Sequence, residues 1–325
     1  MTKKRIDWID IAKGIGVFLV ILGHESLPKL AQNWIYSFHM PLFFILSGYT
    51  YKRKKSFWEE TRNMFKHLLV PYIVYSVVFF LIDILLFGIK SEVIEGDIHS
   101  LKNGQGSFGV LWFLLSMFWV RLFYSAIDRK VNEKAKAIII SIIVVLAYLF
   151  HLVTGQYLFT ITTSLIILGF FYLGTQMKQR DFISKVCGSK KVVLFMAIAS
   201  FGSILVSFIN YSIYGHKVEI SGAVYNFLPF TYIAAVCGSV IVVFLSFMIE
   251  SKHLPFERIL KHIGFYSLWY YPLTAFIPNR TSKLVEGTIY DNWKIKLASR
   301  LLSFAITFIL IMGGNFIKRH TAHQE

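Results

Sequence analysis

The sequence predicts an all-α integral membrane protein: a bundle of about ten transmembrane helices forming a single domain over residues 1–325, with no soluble domain. Three observations carry this. Apolar residues make up 55% of the 325-residue chain and charged residues only 16%. Soluble domains carry about a quarter charged residues, so a water-facing surface cannot be covered in the usual way. Mean hydropathy is +0.58, and 31 Phe and 17 Tyr suit lipid-facing helices and their interfacial girdles. The cations that give a net charge of +16 sit in short loops between apolar runs. A soluble enzyme, a disulfide-rich secreted domain and a disordered chain are thereby excluded. The basic excess serves orientation in a bilayer, so nucleic acid is not an expected partner.

Apolar stretches of spanning length fall at about 9–27, 34–51, 67–89, 108–127, 137–153, 157–178, 192–211, 223–249, 264–278 and 295–317. The basic N-terminus is followed by a run with no small-residue cleavage site, so a retained first span is expected and not a signal peptide. With the N-terminus inside, the inner segments hold 23 Lys and Arg and the outer loops 7. That asymmetry predicts cytoplasmic termini and a multi-pass arrangement in the plasma membrane. Cys187 and Cys237 form neither a disulfide framework nor a metal site, and no metal is expected.

Charge inside hydrocarbon costs several kcal/mol unless paired, wet or snorkelling, so polar residues within spans are the candidate site. The first span holds Asp10, Lys13, His24 and Glu25. Asp10 and Lys13 share a face. Lys13 and His24 are eleven residues apart, nearly three turns, and so project from one stripe with backbones roughly 16 Å apart. A cation near the inner surface and an imidazole further up suit a site entered from both sides. The structural alternative makes Lys13 a snorkelling anchor and His24 a cap of the outer end.

The second span opens with Trp34, Tyr36 and His39, and His39 could face His24 across a cavity or simply satisfy the interface. Ser47 and Gly48 permit close helix approach. The basic run at Lys52–Lys55 sets topology, with Arg53 a candidate anion ligand. Arg121 lies within snorkelling reach of its inner end, whereas Asp83, too short to snorkel, implies a wet or paired interior. Trp112 is placed at an outer aromatic belt, and Tyr270, Tyr271 and Pro272 mark a broken helix lining a cavity. HExxH, a Walker loop and a GxSxG elbow are absent from the sequence. These residues suit two classes, a transporter of a small solute or polysaccharide unit and a membrane transferase with a His base. A scaffold subunit is the weakest reading.

Four stretches separate the two classes. RIDWIDIAKGIGVFLVILGH, HMPLFFILSGYTYKRK, GVLWFLLSMFWVRLFY and IGFYSLWYYPLTAFIP resemble the membrane acyltransferase family 3, bacterial enzymes that acylate surface carbohydrates, and in particular its fucose 4-O-acetylase-like single-domain branch. Lys13 stands at the Arg of the family's Arg-ten-residues-His signature and His24 at its His. Lys keeps the charge but loses the planar fork. Thr274 stands where many relatives have His, and the longer relatives' extracytoplasmic domain is not expected here.

The resemblance implies transfer of an acyl group, usually acetyl from cytoplasmic acetyl-CoA, to a hydroxyl of a lipid-linked or extracytoplasmic glycan. It implies His24 as general base or acyl relay and Lys13 and Arg53 as donor-binding. Asp10, Glu25, His39, Ser47, Trp112 and Tyr271 would line the site. Acyl-CoA is a co-substrate and no permanently bound cofactor is expected; glycan-assembly proteins and the bilayer are the remaining partners.

Overall fold

A computed structural model of the chain describes residues 6–24, 27–103, 106–155, 160–285, 298–299, 301–309 and 311–312. Regular structure among them is helical, apart from one isolated bridge between Glu219 and Val224. The helices are α1 (Asp7–Gly23), α2 (Lys29–Thr50), α3 (Phe57–Met64), α4 (Val70–Phe87), α5 (Ser91–Asn103), α6 (Trp112–Asp128), α7 (Glu133–Thr154), α8 (Ile161–Gln179), α9 (Phe182–Cys187), α10 (Val192–Tyr214), α11 (Leu228–Lys252), α12 (Glu257–Phe265) and α13 (Ser267–Val285). A further helical stretch covers 301–309. A π-turn at Phe65–Leu69 joins α3 to α4 in one helix from Phe57 to Phe87.

Among the described residues, five helices are long and apolar enough to cross a bilayer: Phe57–Phe87, Gly109–Asp128, Glu133–Thr154, Val192–Tyr214 and Leu228–Lys252. The chain is therefore an all-helical membrane protein. Helix α1, at 17 residues, is shorter than those five and exposes Phe18 and Leu22. Helix α2 lies inside the bundle: every residue from Ile35 to Leu46 is buried, so lipid does not select its composition and polar groups persist there. The shell helices α4, α7 and α10 instead expose Leu81, Leu146, Ile198 and similar side chains to the surroundings.

Glycines bring α2 and α1 to their neighbours at backbone distance. A Cβ on Gly48 would overlap the Phe171 carbonyl of α8, and one on Gly174 the Ile45 carbonyl of α2. On α1, a Cβ at Gly14 would strike the Leu260 carbonyl of α12, and one on Gly264 the Asp10 carbonyl. Without side-chain volume between them, such helices gain dispersion contact along their whole length. Gly48 is thus a packing device.

Two expectations are corrected by the packing. Helix α13 runs through Tyr270, Tyr271 and Pro272 without a break; the interruption falls earlier, at Tyr266 between α12 and α13. Arg280, which follows the 264–278 stretch expected as a span, lies within α13, where its guanidinium grips the Asp83 carboxylate of α4 through Nε and Nη2. Both side chains are almost fully buried. Asp83 is thus the paired interior carboxylate that its short side chain required.

Candidate functional site

Helix α1 places Asp10 and Lys13 one turn apart, with Lys13 Nζ 3.8 Å from Asp10 Oδ1. Asp10 is buried and Lys13 half-buried. Its far end is capped by His24, which is exposed. His24 Nδ1 lies 2.7 Å from the Val20 carbonyl oxygen. A carbonyl only accepts, so Nδ1 carries the hydrogen and Nε2 the lone pair of the neutral ring. The carbonyls at the end of α1 also favour positive charge there. One ring nitrogen of His24 is thus engaged by its own helix, and the other points away from Val20.

The stripe joining Lys13 to His24 is closed. Val17 and Val20, which lie on it, are 0% and 2% exposed and pack with Phe43 and Phe44 of α2. The spacing that relates the two residues is as expected, but they do not open onto one channel along that stripe.

His39 does not sit at an interface; it is 3% exposed, and its Nδ1 donates to the Ile35 carbonyl at 2.8 Å. Both imidazoles neighbour the Tyr36 ring, which lies 5.8 Å from the His24 centroid and 5.0 Å, edge-on, from that of His39. Lys217 completes the corner with its Nζ 3.7 Å from the centre of the Tyr36 ring. The loop carrying it is tied down by Asn33, 1% exposed, whose Oδ1 accepts from the Val218 amide at 3.2 Å. Asn33 Nδ2 in turn donates to the Ser207 carbonyl and hydroxyl of α10. Partial burial pushes the Lys217 ammonium below its ordinary value, against the pull of Glu219.

Lys217 and Asn33 were missed by the sequence reading. Lys217 is one cation in a loop, 178 residues beyond His39, with no pattern to mark it. Tyr36 was visible only as part of an amphipathic run.

Trp112 and Tyr271 belong to one aromatic cluster inside the bundle. Trp112 is 5% exposed and packs near Phe44, which corrects its placement in an outer belt. Tyr271, 7% exposed, meets Phe113 at 5.6 Å and lies within electrostatic reach of Tyr36. The structure therefore brings His24 and His39 to Tyr36, and Tyr271 to Phe113. Ser47 is half-buried near the opposite end of α2, where its carbonyl accepts from Thr50. Glu25 lies outside the described residues. Thr274 is buried, and its hydroxyl donates to the Tyr270 carbonyl at 2.5 Å.

Arg53 is exposed at the foot of α2, donating to the Asp128 carbonyl at 3.2 Å and 4.0 Å from its carboxylate. Beside it Arg129 Nη2 reaches the buried Glu60 at 2.8 Å, while Lys136 bridges Asp128 and Glu133. Most cations here are held by carboxylates. Arg121 does not snorkel free: its Nε is buried with no hydrogen-bond partner among the described residues.

Comparison with known proteins agrees with the four sequence stretches. The model of an acyltransferase-domain family matches residues 6–317. Nodulation protein NolL of Sinorhizobium fredii is 27% identical over 188 residues, 53% of this chain and 50% of that protein. The chain thus spans about half the length of the curated relative it matches. No solved structure matches. With nearly its whole length covered by the family model, the chain belongs to the membrane acyltransferase family 3.

Proposed function

We propose that this acyltransferase moves an acetyl group from cytoplasmic acetyl-CoA to a hydroxyl of a cell-surface or lipid-linked carbohydrate in the bacterial plasma membrane. The observation that supports this is the family match over residues 6–317, which contains His24 with its Nδ1 2.7 Å from the Val20 carbonyl oxygen. A sugar hydroxyl is a poor nucleophile near neutral pH, and an imidazole within hydrogen-bond reach removes that obstacle.

The reaction runs as follows. Nε2 takes the hydroxyl proton as the oxygen attacks the thioester carbonyl, and the tetrahedral intermediate collapses with loss of the C–S bond. The departing coenzyme thiolate recovers the proton from the imidazolium, leaving the sugar ester and free thiol. Covalent relay through His24 would use the same nitrogen and remains the runner-up.

His39, Tyr36 and Tyr271 shape the acceptor corner, and Lys217 offers a cation there. Lys13 and Arg53 receive the coenzyme phosphates, competing with Asp10 and Asp128 for them. Because Val17 and Val20 close the direct stripe, the donor's arm reaches His24 by a path beside α1 or after the helices part.

The test is His24→Ala with glycan NMR for O-acetyl groups in cells at matched protein level. Loss of a general base costs about 10²–10⁴ in rate, so O-acetylation should fall to the detection limit. Wild-type O-acetyl content at matched level would remove His24 from the mechanism.

A further inference from the structure

A cavity of about 700 Å³ lies on a different face of α1 from the Lys13–His24 stripe. Phe18, Ile21 and Leu22 of α1 form one wall; Tyr270 of α13 and Phe304 and Ala305 of the 301–309 stretch form others. The walls are almost wholly apolar, and Leu22, Leu301 and Phe308 at its margins are exposed. The space is within the range of small-molecule sites and is bordered by those exposed apolar side chains.

Besides the Tyr270 phenol, two ionisable side chains enter the lining, and both come from α12. Arg258 is exposed, and lies outside the ion pairs that His253 and Lys261 make with Glu257. One turn on, His262 presents a buried Nε2 with no hydrogen-bond partner among the described residues. Its ring is otherwise enclosed by Tyr266, Tyr270 and Phe308, at 4.9, 6.2 and 5.4 Å. A buried polar nitrogen without a partner costs free energy. The spacing i, i+4 puts the two groups on one face, about 6 Å apart at their Cβ atoms.

We infer that this cavity binds one acyl chain of an anionic glycerophospholipid, with its phosphate at Arg258 and its ester carbonyl at His262. Three features select that occupant. The apolar walls fit a hydrocarbon chain. An exposed arginine at an apolar rim fits a phosphodiester. A single polar group one turn further in fits the ester that a glycerolipid carries a few bonds from its phosphate. A pantetheine arm fits poorly, since its two amides would lie against almost wholly apolar walls. A polyprenyl phosphate has no ester for His262.

Because the chain would lie against Phe18, Ile21 and Leu22, the lipid would buttress the helix that ends in His24. The site does not depend on the acyl-transfer reading. Native mass spectrometry of the detergent-purified full chain, followed by titration in nanodiscs of phosphatidylglycerol or phosphatidylcholine, tests it. One glycerophospholipid should remain on the wild type at detergent levels that strip peripheral lipid. Ala305→Trp, which fills the cavity from an exposed position, should abolish it while leaving the elution profile unchanged. Arg258→Gln should reduce the preference for phosphatidylglycerol about fivefold, the effect of one interfacial cation. His262→Phe should weaken retention while sparing the charge preference. Retention of the same lipid by Ala305→Trp would overturn the site. A polyprenyl phosphate in its place, or a charge preference unmoved by Arg258→Gln, would overturn the assignment of its occupant.

Discussion

At the Arg53 end of the α1–α2 pair the cations sit against carboxylates. Arg129 is held by Glu60, Lys136 by Asp128 and Glu133, and Lys261 by Asp7 and Glu257. At the His24 end rings are prominent neighbours: Tyr36 neighbours both imidazoles and takes the Lys217 ammonium on its face. The first arrangement satisfies charge and fixes α2, α3, α6 and α7 to one another. The second adds ring contacts to a single long ion pair, Lys217 with Glu219 at 4.0 Å. Stability should therefore be concentrated at one end and chemistry at the other.

The sharpest way to break that contrast is at the paired end. Glu60→Ala leaves Arg129 without its buried carboxylate, which should cost about 3–5 kcal/mol. Monodisperse protein in detergent should largely disappear, and an unchanged melting temperature would show that the pair adds nothing to the fold. Exchange at the ring end should do the reverse: His24→Ala should leave melting temperature within error while acetyl transfer by purified protein drops by about 10²–10⁴. A loss of stability matching the loss of activity would make His24 a helix cap.

Smaller effects sharpen the comparison. Lys217→Met removes the cation from Tyr36 and should lower stability by about 0.5–2 kcal/mol, with partial recovery in Lys217→Arg, read by thermal melting in detergent. Smallest is Lys13→Ala, for which the donor KM should rise about fivefold, the contribution of one interfacial cation, with kcat little changed. Lys13→Arg should restore it. Equal kinetics for Lys13→Ala and wild type would reduce Lys13 to an anchor paired with Asp10.

The contrast also explains what could be read in advance. Helix placement came through because the bilayer demands long apolar runs, and α4, α7 and α10 carry them plainly on lipid-exposed faces. Asp83 was recognised as needing a partner, but not which one, since Arg280 lies 197 residues away. Trp112 was misplaced because an aromatic at the start of a span has the same composition whether it meets lipid headgroups or Phe44. His39 was misplaced likewise: one residue type serves an interface and a sealed interior equally.

Local sequence, by itself, determined the membrane class, the helical segments, the family and the Lys13–His24 spacing, because each follows from periodicity or from residues close along the chain. Tertiary structure alone decided that Val17 and Val20 seal the stripe between them, that Lys217 rests on Tyr36, and that Arg258 and His262 share a cavity with α1. Those outcomes depend on which helix faces meet. In a bundle held at backbone distance by Gly14, Gly48, Gly174 and Gly264, that is fixed by packing between distant segments, and hydropathy carries no record of it.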